Sequence, residues 1–329
     1  MEELLPFEKI QRKLFVKREA ETSLDYGQKP EERSVEGLIN YGIINLNKPS
    51  GPTSHQISDY VQKILNIQKA GHSGTLDPKV TGVLPIALER ATRIVQTLLK
   101  SGKEYVCLMH LHKEIDEENI RKGFSEFIGK IKQLPPVRSA VKRQLRTREI
   151  YYLNILEIDD KDVLFKIGCE AGTYVRKFCF DLGLKLKTNA HMAELVRTKV
   201  AGFTDKTWYT LHDLKDAFVL YKEENNEKEI RKVILPIEKA VEHLPKVWVL
   251  DSSVSSLCHG ADLSIPGISK YNNFNENETI AVLTLKNELI CLGTSLNNSN
   301  FIKDNEKGKI VKTNKVFMSR DLYPKFKKE

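Results

Sequence analysis

The sequence predicts an α+β main domain followed by a small β module. Its 329 residues exceed one ordinary domain and, at roughly 150 residues per domain, suggest two. Up to about residue 245, runs with helical spacing alternate with runs of strand character. After Lys246 the texture shifts to short β-rich runs divided by Gly, Asn and Ser. The composition, 40% hydrophobic and 29% charged, can bury a sizeable core and excludes wholesale disorder.

Residues 1 to 36 are charge-dense and poor in apolar periodicity, so they read as an extension that docks elsewhere. Gly42-Ile43-Ile44-Asn45-Leu46 is the first strand signal, ended by the turn-rich Asn47 to Pro52. Thr53 or Ser54 then caps a helix through Ile57, Val61, Ile64 and Leu65. GHSGTLDPKVTGVLPIAL (71 to 88) reads as a Gly-rich loop, and Thr92 to Leu99 as a helix. Tyr105 to His112 suits a strand. Residues 116 to 133 read as a helix with Asp116 as N-cap, before a Pro-Pro turn and a basic stretch from Arg138 to Arg148.

Tyr151 to Ile158 and Val163 to Cys169 read as strands paired around Asp159-Asp160. Tyr174 to Leu184 and Ala190 to Arg197 are helical candidates. YKEENNEKEIRK (221 to 232) is a solvated helix face or a linker. The runs Val247 to Leu250, Thr279 to Leu285, Glu288 to Leu292 and Lys309 to Lys312 suggest a barrel or pseudo-barrel of about 80 residues.

Fifty-two Lys and Arg against 44 Asp and Glu leave a net charge of +8, which favours an acidic partner such as nucleic acid. No apolar run approaches the roughly 18 residues of a membrane span, and MEELLPFEKIQRK lacks the apolar stretch of a signal peptide. The five cysteines are scattered, with no C-x-x-C pair, and read as reduced thiols of a cytoplasmic protein with no zinc ribbon.

The segment GHSGTLDPKVTG gathers three glycines, His72 and Asp77 within twelve residues. It lacks the Gly-Lys-Ser/Thr ending of a phosphate loop and the spacing of a dinucleotide fingerprint. Pro78 holds Asp77 in extended geometry beside a flexible loop. On spacing alone, Asp77 is either an Asx-turn capping a following helix or a reactive carboxylate.

The whole string resembles the second motif of the TruB-type pseudouridine synthases, most closely their archaeal dyskerin-type branch. INLNKPSGPTSH (44 to 55) resembles the family's first motif, KEYV (103 to 106) its tyrosine motif, and CEAGTYVRKFCFDLG (169 to 183) its arginine motif. AHMAELVRTKVAGF (190 to 203) and PPVRSAVKRQLRTREIYYLNILEI (135 to 158) are similar to further segments of that branch. The stretch from LPKVWVLDSSVSSLCHGADLSIPGI (244 to 268) to VFMSRDLYPKF (316 to 326) is similar to a PUA domain, an RNA-binding β module. AETSLDYGQKPEERSVEGL (20 to 38) fits the dyskerin extension.

The resemblance implies a mixed, largely antiparallel sheet with flanking helices, plus a PUA pseudo-barrel. It implies an extension over 1–36 that docks on the C-terminal module, a catalytic domain over 37–245, and a PUA domain with a basic tail over 246–329. It also implies uridine-to-pseudouridine isomerisation in RNA. That reaction moves a glycosidic bond from N1 to C5 with no redox change, so no cofactor and no metal are expected. One ionised carboxylate can serve as nucleophile or base, and the resemblance assigns that part to Asp77. Arg176 is its positive partner, needed if the carboxylate lies in a closed pocket.

A base lifted out of RNA needs an apolar bed. The resemblance places Tyr105 and Leu195 there, with Tyr174 and His72 at the substrate, while Lys48 and Pro49 support the loop. Arg138, Lys142, Arg143, Arg146 and Arg148, followed by Tyr151 and Tyr152, form a candidate RNA-contacting face, and Lys325, Lys327 and Lys328 a basic tail. Val196 stands where relatives often carry an arginine, which would remove one phosphate contact.

The implied partners are a guide RNA, an rRNA or tRNA substrate and the small proteins of an H/ACA ribonucleoprotein. The rival readings are a standalone tRNA enzyme, a non-catalytic RNA-binding scaffold and a small-molecule nucleoside enzyme.

Overall fold

The computed structural model describes residues 3–135 and 142–325; Arg138, Lys327 and Lys328 lie outside them. Contact clustering divides the chain into two compact units. One comprises Met1–Lys9, Ile44–Ala87 and Thr92–Val233, and the other Ile10–Ile43, Leu88–Ala91 and Ile234–Glu329.

The first unit is built on a mixed, largely antiparallel sheet. Its spatial order is Gly42–Lys48, Thr81–Leu88, Ala190–Val200, Lys103–Leu111, Asp162–Cys169, Arg146–Asp159 and Gly129–Gln133. Thr81–Leu88 and Ala190–Val200 run parallel, and each later neighbouring pair runs antiparallel. Helix Ser54–Leu65 begins with a capping box between Thr53 and Gln56 and buries Ile57, Val61 and Leu65. It ends at Asn66, whose φ of 52° reverses the chain.

Helix Val175–Lys185 buries Val175, Phe178, Cys179 and Leu182. Phe178 meets Phe124, Phe127 and Phe165 at ring-centroid distances of 6.0, 5.4 and 5.5 Å. A buried phenylalanine contributes about 1.5–3 kcal/mol, so this cluster fixes the helix against the sheet.

The structure corrects three local expectations. The helix begun at Asp116 ends at Ser125, because Gly129 takes φ +99° and the alternating GKIKQ pairs as the strand Gly129–Gln133. The second half of the Gly-rich string is the buried strand Thr81–Leu88. Ala190 to Arg197 is a strand in the interior of the sheet, running on to Val200, and not a helix.

The second unit holds the β module. Its sheet order is Leu14–Val16, Ile268–Asn272, Lys246–Val249, Thr279–Thr284, Leu289–Ser295, Lys309–Val316 and Leu263–Ser264. Val247, Val282, Ile290, Ile310 and Val311 fill its core. The Leu14–Val16 strand adds antiparallel to Ile268–Asn272. Thr22 and Ser23 both donate to the Asp251 carboxylate, and Arg33 makes a two-pronged pair with Glu238 at 2.8 and 2.7 Å. No helix among the described residues is long and apolar enough to cross a membrane.

Candidate active site

Asp77 lies in the turn between strands Ala70–His72 and Thr81–Leu88, and its backbone is gripped on both sides. Before it, the buried Ser54 hydroxyl accepts from Leu76 N at 2.9 Å and donates to Leu76 O at 3.3 Å. After it, the fully buried Lys48 donates to the carbonyls of Pro49, Pro78 and Val80 at 2.9, 2.9 and 2.8 Å. Three acceptors match the three N–H donors of an ammonium, so the buried cation is fully satisfied. Burial, aided by Arg197, still pushes the Lys48 pKa down, and Asp77 opposes that.

Asp77 caps no helix, because a strand follows the turn. Its carboxylate instead forms an ion pair with the Arg176 guanidinium. The pair is not enclosed within the chain itself: the two side chains are 54% and 57% exposed, so solvent reaches them.

Arg176 sits in the first turn of Val175–Lys185, whose N-cap residue is Tyr174. The amide of buried Gln133 holds that entry point twice. It donates to Tyr174 O at 3.1 Å and accepts from Tyr174 N at 3.0 Å. The Arg148 guanidinium lies against Gly172, two residues before Tyr174, and pairs with Glu170 at 3.5 Å.

In KEYV, the residues flanking the tyrosine are scaffold. Lys103 is buried and donates to the carbonyls of Leu98, Leu99 and Ser101, and burial pushes its pKa down to about 7. Buried Glu104 accepts from Thr198 and from the Tyr152 hydroxyl. Tyr152 therefore faces inward, and the expectation that it interleaves with the RNA-contacting arginines is corrected.

Tyr105 is half-buried; burial raises its phenol pKa, and Arg197 opposes the rise. Tyr105 lies opposite Arg197 across the strands, and half-buried Leu195 lies opposite Cys107. Val196 pairs with Thr81 and Val106 within the sheet. His72 is half-buried edge-to-face with His55 at 5.0 Å, and burial, then His55 and Arg197, lowers its pKa.

Lys142 and Arg143 are exposed, while Arg146 and Arg148 are half-buried on the strand that follows. Among the described residues no cluster of His, Cys, Asp or Glu is arranged to hold a metal. The structure thus joins Asp77 to Arg176. It also brings in three residues that the sequence reading missed: Ser54, Gln133 and Arg197. Ser54 was visible only as a possible helix cap, and Gln133 carried no signal.

Four family models match the chain in order. They are a DKCLD (NUC011) domain over residues 2–58, the TruB family pseudouridylate synthase N-terminal domain over 62–175, the tRNA pseudouridylate synthase B C-terminal domain over 176–242, and a PUA domain over 245–317. A probable tRNA pseudouridine synthase B of Pyrococcus abyssi is 54% identical, covering 96% of each chain. Its namesake in Methanothermobacter thermautotrophicus is 53% identical, covering 94% of this chain and 95% of that one. Among solved structures, a chain of a Cbf5–Nop10–Gar1 complex aligns with TM-score 0.94 and 52% identity, covering 98% of this chain and 99% of that one. A chain of an H/ACA ribonucleoprotein bound to a substrate RNA aligns with TM-score 0.93 and 50% identity, over the same shares.

Proposed function

The chain belongs to the TruB family of pseudouridine synthases, and on that premise we propose that it isomerises uridine to pseudouridine in RNA within a guide-directed H/ACA ribonucleoprotein. The observation that carries this reading is the Asp77–Arg176 pair, solvent-accessible on a turn whose backbone Ser54 and Lys48 hold on both sides. A carboxylate so held can meet a sugar while its loop stays still. In the reaction the N1–C1′ bond breaks, the uracil turns, C5 bonds to C1′, C5 loses its hydrogen as a proton and N1 gains one. The exposed carboxylate serves either by attacking C1′ or by taking a sugar proton, and Arg176 orients it by a charge-assisted hydrogen bond.

The base is flipped out of the RNA to reach the turn, at a cost of a few kcal/mol. Tyr105 and Leu195 supply its bed, and His72 and Tyr174 border it. Lys142, Arg143, Arg146 and Arg148 hold phosphates alongside. The relatives solved in H/ACA complexes support small protein partners and a substrate RNA for this chain. The domain reading is an extension over 1–36, a catalytic domain over 37–245 and a PUA domain over 246–329. The five buried free thiols fit a reducing compartment, and the reading places the protein in the cytoplasm.

The test is release of tritium from C5-labelled uridine in RNA. A guide–target pair with partner proteins is compared with a tRNA transcript and the protein alone. Release that needs the guide assembly supports the proposal; release with protein alone replaces it with the standalone tRNA reading. Asp77→Asn should lower release by roughly a thousandfold or more while leaving RNA affinity unchanged. If affinity and release fall together, Asp77 is structural and the assignment fails.

A further inference from the structure

We propose that Arg197 is a positioning residue for this isomerisation: from inside the sheet, its guanidinium sets the separation between the turn that carries Asp77 and the ring of Tyr105. The inference rests on the reading of Asp77 and Tyr105 given above. Arg197 is 1% exposed, and its Nε donates to Val83 O at 2.7 Å and its Nη2 to Gly74 O at 3.2 Å. Gly74 lies three residues before Asp77. Arg197 is also the direct cross-strand partner of Tyr105, so the two side chains leave the same face of the sheet. One planar fork therefore ties the turn to the strand that leaves it, on the strand position paired with the aromatic bed.

Register explains how the fork arrives there. Arg197 pairs with Gly82 on one side and with Tyr105 on the other. A Cβ on Gly82 would stand 2.2 Å from Arg197 O, so only glycine lets the two strands close.

Packing alone is a poor account of this arginine. Among the described residues no carboxylate pairs with it, and a buried charge held only by carbonyls is costly compared with an apolar side chain of similar volume. Its positive field also reaches the site, where it helps to depress the pKa values of Lys48, His72 and Lys103. A lysine in its place keeps the charge but not the fork, because a point ammonium on a flexible stem cannot reproduce the planar geometry.

The test uses the full chain in whichever RNA assembly supports tritium release by the unaltered protein, with Arg197→Met and Arg197→Lys. Single-turnover release should fall about a hundredfold in Arg197→Met, as for ångström-scale misplacement of reacting groups, with unchanged RNA affinity and far-ultraviolet circular dichroism. Arg197→Lys should remain at least about tenfold slow because the fork is missing. If Arg197→Met does not fold, Arg197→Lys decides. Either folded variant releasing tritium at the unaltered rate would overturn the proposal, as would loss of fold in both, which assigns Arg197 to stability alone. No release from the unaltered chain would instead sink the functional reading itself.

Discussion

His72 gives the residue scale its pH signature. Its Nδ1 is buried with no hydrogen-bond partner among the described residues, and burial, His55 and Arg197 all hold its pKa below the ordinary 6.5. Above that value both the folded and the unfolded chain carry a neutral imidazole, so stability is unaffected. As the pH falls through 6.5, the unfolded chain binds a proton that the folded chain refuses, and stability declines until the folded pKa is reached. A His72→Gln variant should therefore show a shallower acid-side loss of melting temperature below about pH 6.5 than the unaltered chain. Parallel melting curves would show that His72 is not held neutral.

Asp77, Tyr105 and Arg176 were legible only through the resemblance of their motif strings to the family's, because spacing alone left Asp77 open between an Asx-turn and a reactive carboxylate. Arg197 was not: one arginine in ELVRTK reads alike whether it faces water or a carbonyl. Only the register against Gly82 and Tyr105 separates the two cases.

At the scale of elements, Ala190–Val200 shows where local reading stops. Ala, Met, Glu and Leu favour a helix, and the first residues are largely exposed, so nothing local opposes that reading. The segment is a strand because it fills the slot between Thr81–Leu88 and Lys103–Leu111, where sheet pairing outweighs propensity. Helix Ser54–Leu65 was legible from its cap and the spacing of Ile57, Val61 and Leu65.

What the sequence did not disclose is that this helix also holds the turn that carries Asp77, through the Ser54 hydroxyl on both polar groups of Leu76. Ser54→Ala leaves those two groups without their partner and removes no cap, since Thr53 supplies the capping box. Denaturant unfolding should show a loss of about 1–3 kcal/mol. Turnover at saturating RNA should fall while RNA affinity holds. A variant as stable and active as the parent would show that the clasp does not hold the turn.

At the scale of the whole molecule, the change of texture near Lys246 was readable because short strands and turns differ from helical spacing. The pairing of Leu14–Val16 with Ile268–Asn272 was not readable from its own residues, because nothing in Leu-Phe-Val names a partner more than 250 positions away. The net charge of +8 was likewise plain, but its use depends on where the cations stand.

Lys142 and Arg143 are exposed, whereas Arg148 is drawn toward Glu170 and the loop that leads to Arg176. The first two stand exposed on the proposed RNA-contacting face; the third also braces the loop that leads to Arg176. Each phosphate neutralised on a single strand contributes a slope of about −0.7 to log K against log salt, and about −0.9 on a duplex. Replacing Lys142 and Arg143 together with glutamine should weaken binding of every RNA alike and make that slope shallower by roughly one to two. Single-turnover release at saturating RNA should stay unchanged, because neither side chain takes part in the chemistry. Titrations over a range of salt concentrations decide the matter: an unaltered slope would remove these two cations from the RNA-contacting face and leave the binding charge to be sought elsewhere on the chain.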